Sequence, residues 1–210
     1  MFHIAISGFA GNGKTTTLEL VRDLLDHDGY NVMMFSELPR LVKDSQSLFF
    51  PYSHSDNEDL FQFAIFQCEI MKRELLKSIP YQDNLIVLHD RTWLDNLIFA
   101  VLKKVISYAI FRDILFELSD EKKYHYDLVF LLDSIPDHKV ADVMKDKVRA
   151  ETITDFKVME KRFYQIFLGN QHFLFKSKNP DVQLLPSVFD FPLVPLKVYT
   201  KILNFLRGGN

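Results

Sequence analysis

Apolar residues along this chain gather into short, nearly unbroken runs at Phe2 to Ser7, Asn31 to Phe35, Leu85 to Leu88, Leu128 to Leu132 and Val182 to Leu185. Runs of this length that are apolar at odd and even positions alike read as strands buried on both faces. Between them the apolar positions take up helical spacing. One helix is predicted over Thr16 to Leu25, with its end at Asp28-Gly29, where glycine accepts the turn of a helix terminus. Ser55-Asp56-Asn57-Glu58 has the form of a capping box and opens a second helix through about Leu76, with Pro80 beyond its end. Trp93 to Leu118 reads as one broken helix or two, because Phe99, Leu102, Val105, Ile106, Ile110 and Leu115 recur near helical spacing. A mixed-charge stretch from Asp137 to Glu151 precedes a further helix through about Phe167, and Val188 to Leu206 reads as containing a final helix packed on the sheet. Strands alternating with helices imply an α/β fold, a parallel sheet with helices on both sides. A single domain over residues 1–210 is expected.

Composition narrows this picture only in places. With 48% hydrophobic and 14% aromatic residues in 210, one large core can be filled. The net charge of −3 offers no global attraction to nucleic acid or an anionic membrane, so nucleic-acid binding is disfavoured. Cys68 is the single cysteine, which excludes an internal disulfide and leaves it a packing role. The chain shows no basic-then-apolar leader and no apolar run near the ~20 residues that span a bilayer, so a soluble, cytoplasmic protein with no membrane partner is expected. Its histidines show no pair at metal-ligand spacing, and a zinc site is not expected.

The chemistry is concentrated at Gly8-Phe9-Ala10-Gly11-Asn12-Gly13-Lys14-Thr15, directly after the first strand and before the first helix. This is a phosphate-binding loop in strand–loop–helix context. Backbone N–H groups aim at phosphate oxygens, Lys14 supplies a cation, and the Thr15 hydroxyl is a ligand for Mg²⁺. Open α/β sheets bind ligands beyond the carboxyl ends of their strands. Polar residues stand at each such point: Glu37 and Arg40 past the second strand, Asp90 and Arg91 past the third, Asp133 past the fourth.

Together these residues resemble the P-loop nucleoside and nucleotide kinases, in the branch of deoxynucleoside kinases, thymidylate kinases and ribosylnicotinamide-kinase-like proteins. The resemblance rests on Gly8 to Thr15; on Glu37, similar to an acidic residue facing the substrate hydroxyl; on His89-Asp90-Arg91-Thr92-Trp93-Leu94-Asp95 with Ile98-Phe99-Ala100; and on Tyr126 to Asp133 followed by Lys145-Asp146-Lys147-Val148-Arg149. It implies a three-layer P-loop NTPase fold, with five parallel strands in the order 2-3-1-4-5 and a short lid at about 137–151. It also implies ATP held by Gly8, Gly11, Asn12, Gly13, Lys14, Thr15 and Thr16, with Mg²⁺ at Thr15 and Asp90. Glu37, Arg40, Gln62, Arg91 and Asp95 would bind a nucleoside or nucleotide. Lys14, Glu37, Asp90, Arg91 and Arg149 would carry the reaction, Arg149 from the lid with Lys145 and Lys147 assisting. Glu37 and Asp90 compete for the role of base. Phe61-Gln62 with Phe63, Phe66 and Gln67 resembles a base-reading stretch, although phenylalanines at this density are usually core. Trp93 suits either an acceptor pocket or a buried helix start. Related kinases are often dimers, so a homodimer is open.

The chain also departs from that pattern. Glu37-Leu38-Pro39-Arg40 replaces the Glu-Pro or Arg-Glu-Pro of the nucleoside and thymidylate branches, and the Asp90 to Asp95 spacing fits the ribosylnicotinamide-kinase-like branch better. The expected activity is phosphoryl transfer from ATP to a nucleoside or nucleoside monophosphate. The alternatives are a kinase acting on a hydroxyl within DNA or RNA and a regulatory nucleotide-binding ATPase.

Overall fold

The computed structural model describes residues 1–44, 58–120, 125–144, 153–175, 182–189 and 193–208. Its strands are β1 (Phe2–Ser7), β2 (Asn31–Phe35), β3 (Leu85–Asp90), β4 (Leu128–Leu132) and β5 (Val182–Leu185). They form one five-stranded sheet in the order β2-β3-β1-β4-β5. Every pairing is parallel, with Ile4 opposite Leu88 on one side of β1 and opposite Leu128 on the other. The topology expected from the family resemblance is the observed one.

Eight α-helices are described: α1 (Lys14–His27), α2 (Leu38–Asp44), α3 (Glu58–Ser78), α4 (Trp93–Leu102), α5 (Tyr108–Asp120), α6 (Asp137–Met144), α7 (Ile153–Asn170) and α8 (Val194–Leu206). The strands place alternate residues on the two faces, as the two-residue period requires. On one face Ile4, Ile6, Ile86, Leu88, Leu128, Phe130 and Leu132 pack under α1 and α8, through Leu18, Val21, Leu25, Val194, Val198 and Ile202. On the other, Ala5, Val129 and Leu131 meet α4, α5 and α7, through Trp93, Leu97, Phe111, Phe156, Phe163 and Phe167. A smaller cluster of Leu38, Val42, Phe61, Ala64 and Ile65 holds α2 against α3, with Cys68 packed at its edge.

Two features differ from the sequence-based expectation. β3 continues past Leu88 through His89 and Asp90, because the His89 ring is buried between Phe35, His3 and Tyr126 and so behaves as part of the apolar run. Helix α2 starts at Leu38-Pro39, where proline costs nothing in a first turn that has no N–H partner to lose. The Trp93 to Leu118 segment is two helices, one of the two forms expected, separated around Lys104, which has a left-handed φ of 61°. Ser55 to Asn57 of the expected capping box, and Lys145, Lys147 and Arg149 of the expected lid, lie outside the described residues. No helix among the described residues is long and apolar enough to cross a membrane.

Candidate active site

The phosphate loop leaves β1 at Ser7 and enters α1 through Gly13, whose φ of 85° is left-handed. A side chain there would be strained and would run into Val188. Helix α1 has no side-chain cap, so its first N–H groups stay available to an anion. They open into a cleft of about 530 Å³ lined by Gly11, Gly13, Lys14, Thr15, Thr16, Glu37, Arg40 and Arg91, with Val188, Phe189 and Pro195 as an apolar wall. The loop itself is pinned from below: Phe9 is buried with ring centroids 5.5 Å from Phe99, 5.0 Å from Phe156 and 5.7 Å from Phe163.

Lys14 is folded back onto this loop. Its ammonium donates to the Phe9 carbonyl at 2.8 Å and to Asn12 Oδ1 at 3.1 Å, and the side chain is almost fully buried. Burial, and then the nearby Arg91 charge, push its pKa down to about 7 against the pull of Glu37, Asp90 and Asp95. Asn12 is itself fully buried and donates to the Leu132 carbonyl at 3.3 Å.

Glu37, between β2 and α2, is clamped by two arginines. Arg91 donates to its Oε1 from Nε at 2.6 Å and from Nη2 at 2.5 Å, and Arg40 approaches Oε2 at 3.3 Å. Burial alone would raise the Glu37 pKa, but Arg91, Lys14 and Arg40 outweigh it and hold the carboxyl at about 2. Arg91 takes a left-handed φ of 83°, and its guanidinium lies 4.9 Å over the Phe99 ring.

Asp90, the last residue of β3, accepts the Thr15 hydroxyl proton on Oδ2 at 2.5 Å, while its buried Oδ1 has no partner. Burial raises its pKa, as does the Glu37 charge, against Lys14, Thr15 and Arg91. A buried carboxylate oxygen left open beside a threonine hydroxyl is an oxygen-donor set of the kind hard divalent cations take. No cluster of three or more His, Cys, Asp or Glu with metal-binding geometry occurs among the described residues.

Lys14, Thr15, Glu37, Arg40, Asp90 and Arg91 thus lie together in space. Asp95, expected on the substrate side, is turned elsewhere. Fully buried in the first turn of α4, it accepts from the Ser7 hydroxyl at 2.7 Å, the Thr92 N–H at 2.7 Å and the Thr92 hydroxyl at 2.5 Å. Its carboxylate completes a capping box and ties the start of the phosphate loop to α4. Gln62 is buried on α3, outside the lining of this cleft, with Phe61 in the α2–α3 core; Phe63 is exposed and Phe66 packs on the main core. Trp93 is buried at the start of α4. Asp133 is exposed and accepts from the Ser134 N–H, so it shapes the turn after β4.

Two groups of polar residues turned into the structure were not singled out from sequence. On α3, Glu69 binds Lys72 at 2.8 Å and Arg73 at 3.5 Å and accepts from Asn96 at 3.3 Å, all four residues being buried. On α7, Lys157 and Glu160 grip Ile135 in the turn after β4, and Tyr164 one turn later reaches the phosphate loop. Charged residues at helical spacing read as a wet helix face, and a tyrosine among phenylalanines reads as core.

A strand-ending glycine loop, an uncapped helix terminus and acidic and basic groups past adjacent strands of a 2-3-1-4-5 sheet define a P-loop protein of nucleoside-kinase-like fold. The chain belongs to the AAA domain family, which matches residues 3–182. Among solved structures it is similar to deoxyadenosine kinase from M. mycoides with the products dCMP and a flexible dCDP bound, at a TM-score of 0.58 and 14% identity over 99% of this chain and 100% of that one. It is similar also to the same kinase with bound dATP, at a TM-score of 0.57 and 14% identity over 97% of this chain and 100% of that one. Comparison with curated protein sequences gives no match.

Proposed function

We propose that the protein transfers the γ-phosphate of ATP to a nucleoside or nucleoside monophosphate. The observation that carries this reading is the convergence of Lys14, Thr15 and Asp90 with Glu37, Arg40 and Arg91 on the anion-accepting end of α1. Phosphoryl transfer asks a protein mainly for positioning and charge neutralisation, and these side chains suit both tasks. The α1 N–H groups and Lys14 would hold the donor phosphates, Lys14 through the ammonium proton that neither the Phe9 carbonyl nor Asn12 takes. Thr15 and Asp90 would hold Mg²⁺, which neutralises phosphate charge when bound. Glu37, ionised across the physiological range, would accept a hydrogen bond from the acceptor hydroxyl and orient it. With a carboxyl held at about 2 by its arginines, Glu37 acts as an orienting group rather than a proton store. Arg91 and Arg40 suit an acceptor that already carries a phosphate. Arg149 is proposed to neutralise the transferring group from the segment after α6.

Purified protein would be assayed for ATP consumption with Mg²⁺, without acceptor and with a panel of nucleosides, nucleoside monophosphates, ribosylnicotinamide and single-stranded DNA, beside Lys14→Ala. Turnover that depends on a small acceptor and vanishes in Lys14→Ala is the expected result. Acceptor-independent hydrolysis, or turnover only with DNA, would overturn the reading in favour of a regulatory ATPase or a nucleic-acid kinase.

A further inference from the structure

Tyr164 lies on α7, far from the cleft in sequence, yet its hydroxyl sits at the centre of the only polar contacts by which this helix meets the phosphate loop among the described residues. It donates to the Leu132 carbonyl at 2.7 Å. It then accepts two longer bonds from the loop, from the Phe9 N–H at 3.4 Å and from Asn12 Nδ2 at 3.5 Å. Phe9 and Asn12 are also the two residues that hold the Lys14 ammonium, through the Phe9 carbonyl and Asn12 Oδ1. A hydroxyl has one proton to give and two lone pairs to share, and here all three are used.

The orientation of the Asn12 amide follows from this. Both acceptors near its nitrogen, Leu132 O and Tyr164 Oη, lie on one side, which leaves Oδ1 turned toward Lys14. An amide turned the other way would set its N–H₂ against an ammonium and its oxygen against a carbonyl. Around Lys14 stand Arg91, Glu37, Asp90 and Asp95, so a small displacement of the ammonium changes which of these charges it meets. The Tyr164 ring is kept in place by an edge contact with Phe163 at 5.5 Å, independent of its hydroxyl.

We propose that Tyr164 is a positioning residue for the nucleotide site: its hydroxyl fixes the Phe9–Asn12 segment and, through the Asn12 amide, the place of the Lys14 ammonium. It touches neither phosphate nor acceptor. The inference rests on the phosphate-binding reading of Gly8 to Thr15 but needs no acceptor, so it is tested by binding alone. A loop held in its binding geometry before ligand arrives avoids the ordering cost at the moment of binding.

The test is a double-mutant cycle on ATP affinity, measured by calorimetry at fixed pH and salt, with wild type, Tyr164→Phe, Asn12→Ala and the double variant. Tyr164→Phe keeps the ring and removes only the hydroxyl. The expected result is about a fivefold loss of ATP affinity in Tyr164→Phe, and a clearly smaller loss when the same change is made in Asn12→Ala, where only the Phe9 contact is left to lose. The Lys14 ¹³Cε resonance of the free protein is expected to move in Tyr164→Phe and to move clearly less when the same change is made in Asn12→Ala. Unchanged ATP affinity with only a lowered melting temperature would make Tyr164 structural and overturn the proposal. Equal losses in both backgrounds would overturn it too, by showing that the hydroxyl does not act through Asn12. If wild-type protein binds no ATP, the phosphate-loop reading falls with it; if ATP binds and the cycle is additive, only the present inference falls.

Discussion

Replacing Asp95 by alanine isolates what that carboxylate does. The capping box at the start of α4 loses its Asp95 half, while the Thr92 hydroxyl still accepts from the backbone N–H of residue 95. The Thr92 N–H, fixed in direction, is left buried without its acceptor, and the Ser7 and Thr92 hydroxyls must find others, at about 1–3 kcal/mol per stranded donor. Allowing the hydroxyls to re-aim, the sum is roughly 4 kcal/mol, a large part of the ~5–15 kcal/mol that a domain possesses. In a chain of this size that corresponds to a melting point lower by roughly 10 °C. Asp95→Asn keeps one carbonyl acceptor but turns an N–H₂ toward donors, and about half the loss is expected. Urea unfolding followed by circular dichroism, with the slope compared to confirm an unchanged folded state, measures both. A loss under about 1 kcal/mol in Asp95→Ala, together with abolished turnover, would refute the argument and return Asp95 to the substrate side.

Other outcomes follow from groups already described. Gly13→Ala forces a left-handed φ on alanine and sets its Cβ against Val188, so a loss of about 2–4 kcal/mol and of ATP binding is expected; adding Val188→Ala restores part of the stability, and no restoration would argue against the steric origin. His89 is buried with its pKa well below the ordinary value, chiefly through desolvation and then through Lys72 and His3. Below about pH 6.5 the unfolded chain takes up a proton that the folded one refuses, so stability falls with pH by about 1.4 kcal/mol per unit until the folded pKa is reached. Urea midpoints at pH 7.5 and 5.5 check this, and His89→Phe should flatten the difference; parallel slopes would count against it. Lys14, held at about 7, is charged in only part of the molecules above that pH, and phosphate raises its pKa. ATP affinity should therefore fall as pH rises from 7 to 9, with proton uptake on binding seen in calorimetry across buffers of different ionisation heat. Pairing that is independent of pH would place the ammonium elsewhere.

Much of this molecule was readable before any coordinates. The five apolar runs are strands because a parallel sheet covered on both faces demands apolar residues at odd and even positions alike, and the loop from Gly8 to Thr15 announces itself through residue types that few other structures need. What escaped was polar residues whose partners come from distant segments. His89 reads as the end of a strand until Phe35, His3 and Tyr126 close over it. Glu69, Lys72 and Arg73 stand at the spacing of a solvated helix face, and only the approach of Asn96 and Trp93 shows that they are inside. Asp95 sits beside the Asp-Arg pair in sequence, yet the helical turn that begins at Trp93 directs it back to Ser7 and away from the cleft. Sheet order came from resemblance, since strand neighbours are chosen by crossover connections that no local pattern records.

The burial of Phe9 among Phe99, Phe156 and Phe163 ties the phosphate loop to α4 and α7 by aromatic contacts as firmly as any core residue is tied. Glycine-rich loops are commonly pictured as flaps that stiffen around a ligand; this one has a paperweight on it. The amide of Phe9 should then exchange with solvent only as fast as the sheet beneath it opens, with or without ATP. The site would melt when the protein melts and not before, so nucleotide recognition would persist to the edge of the unfolding transition.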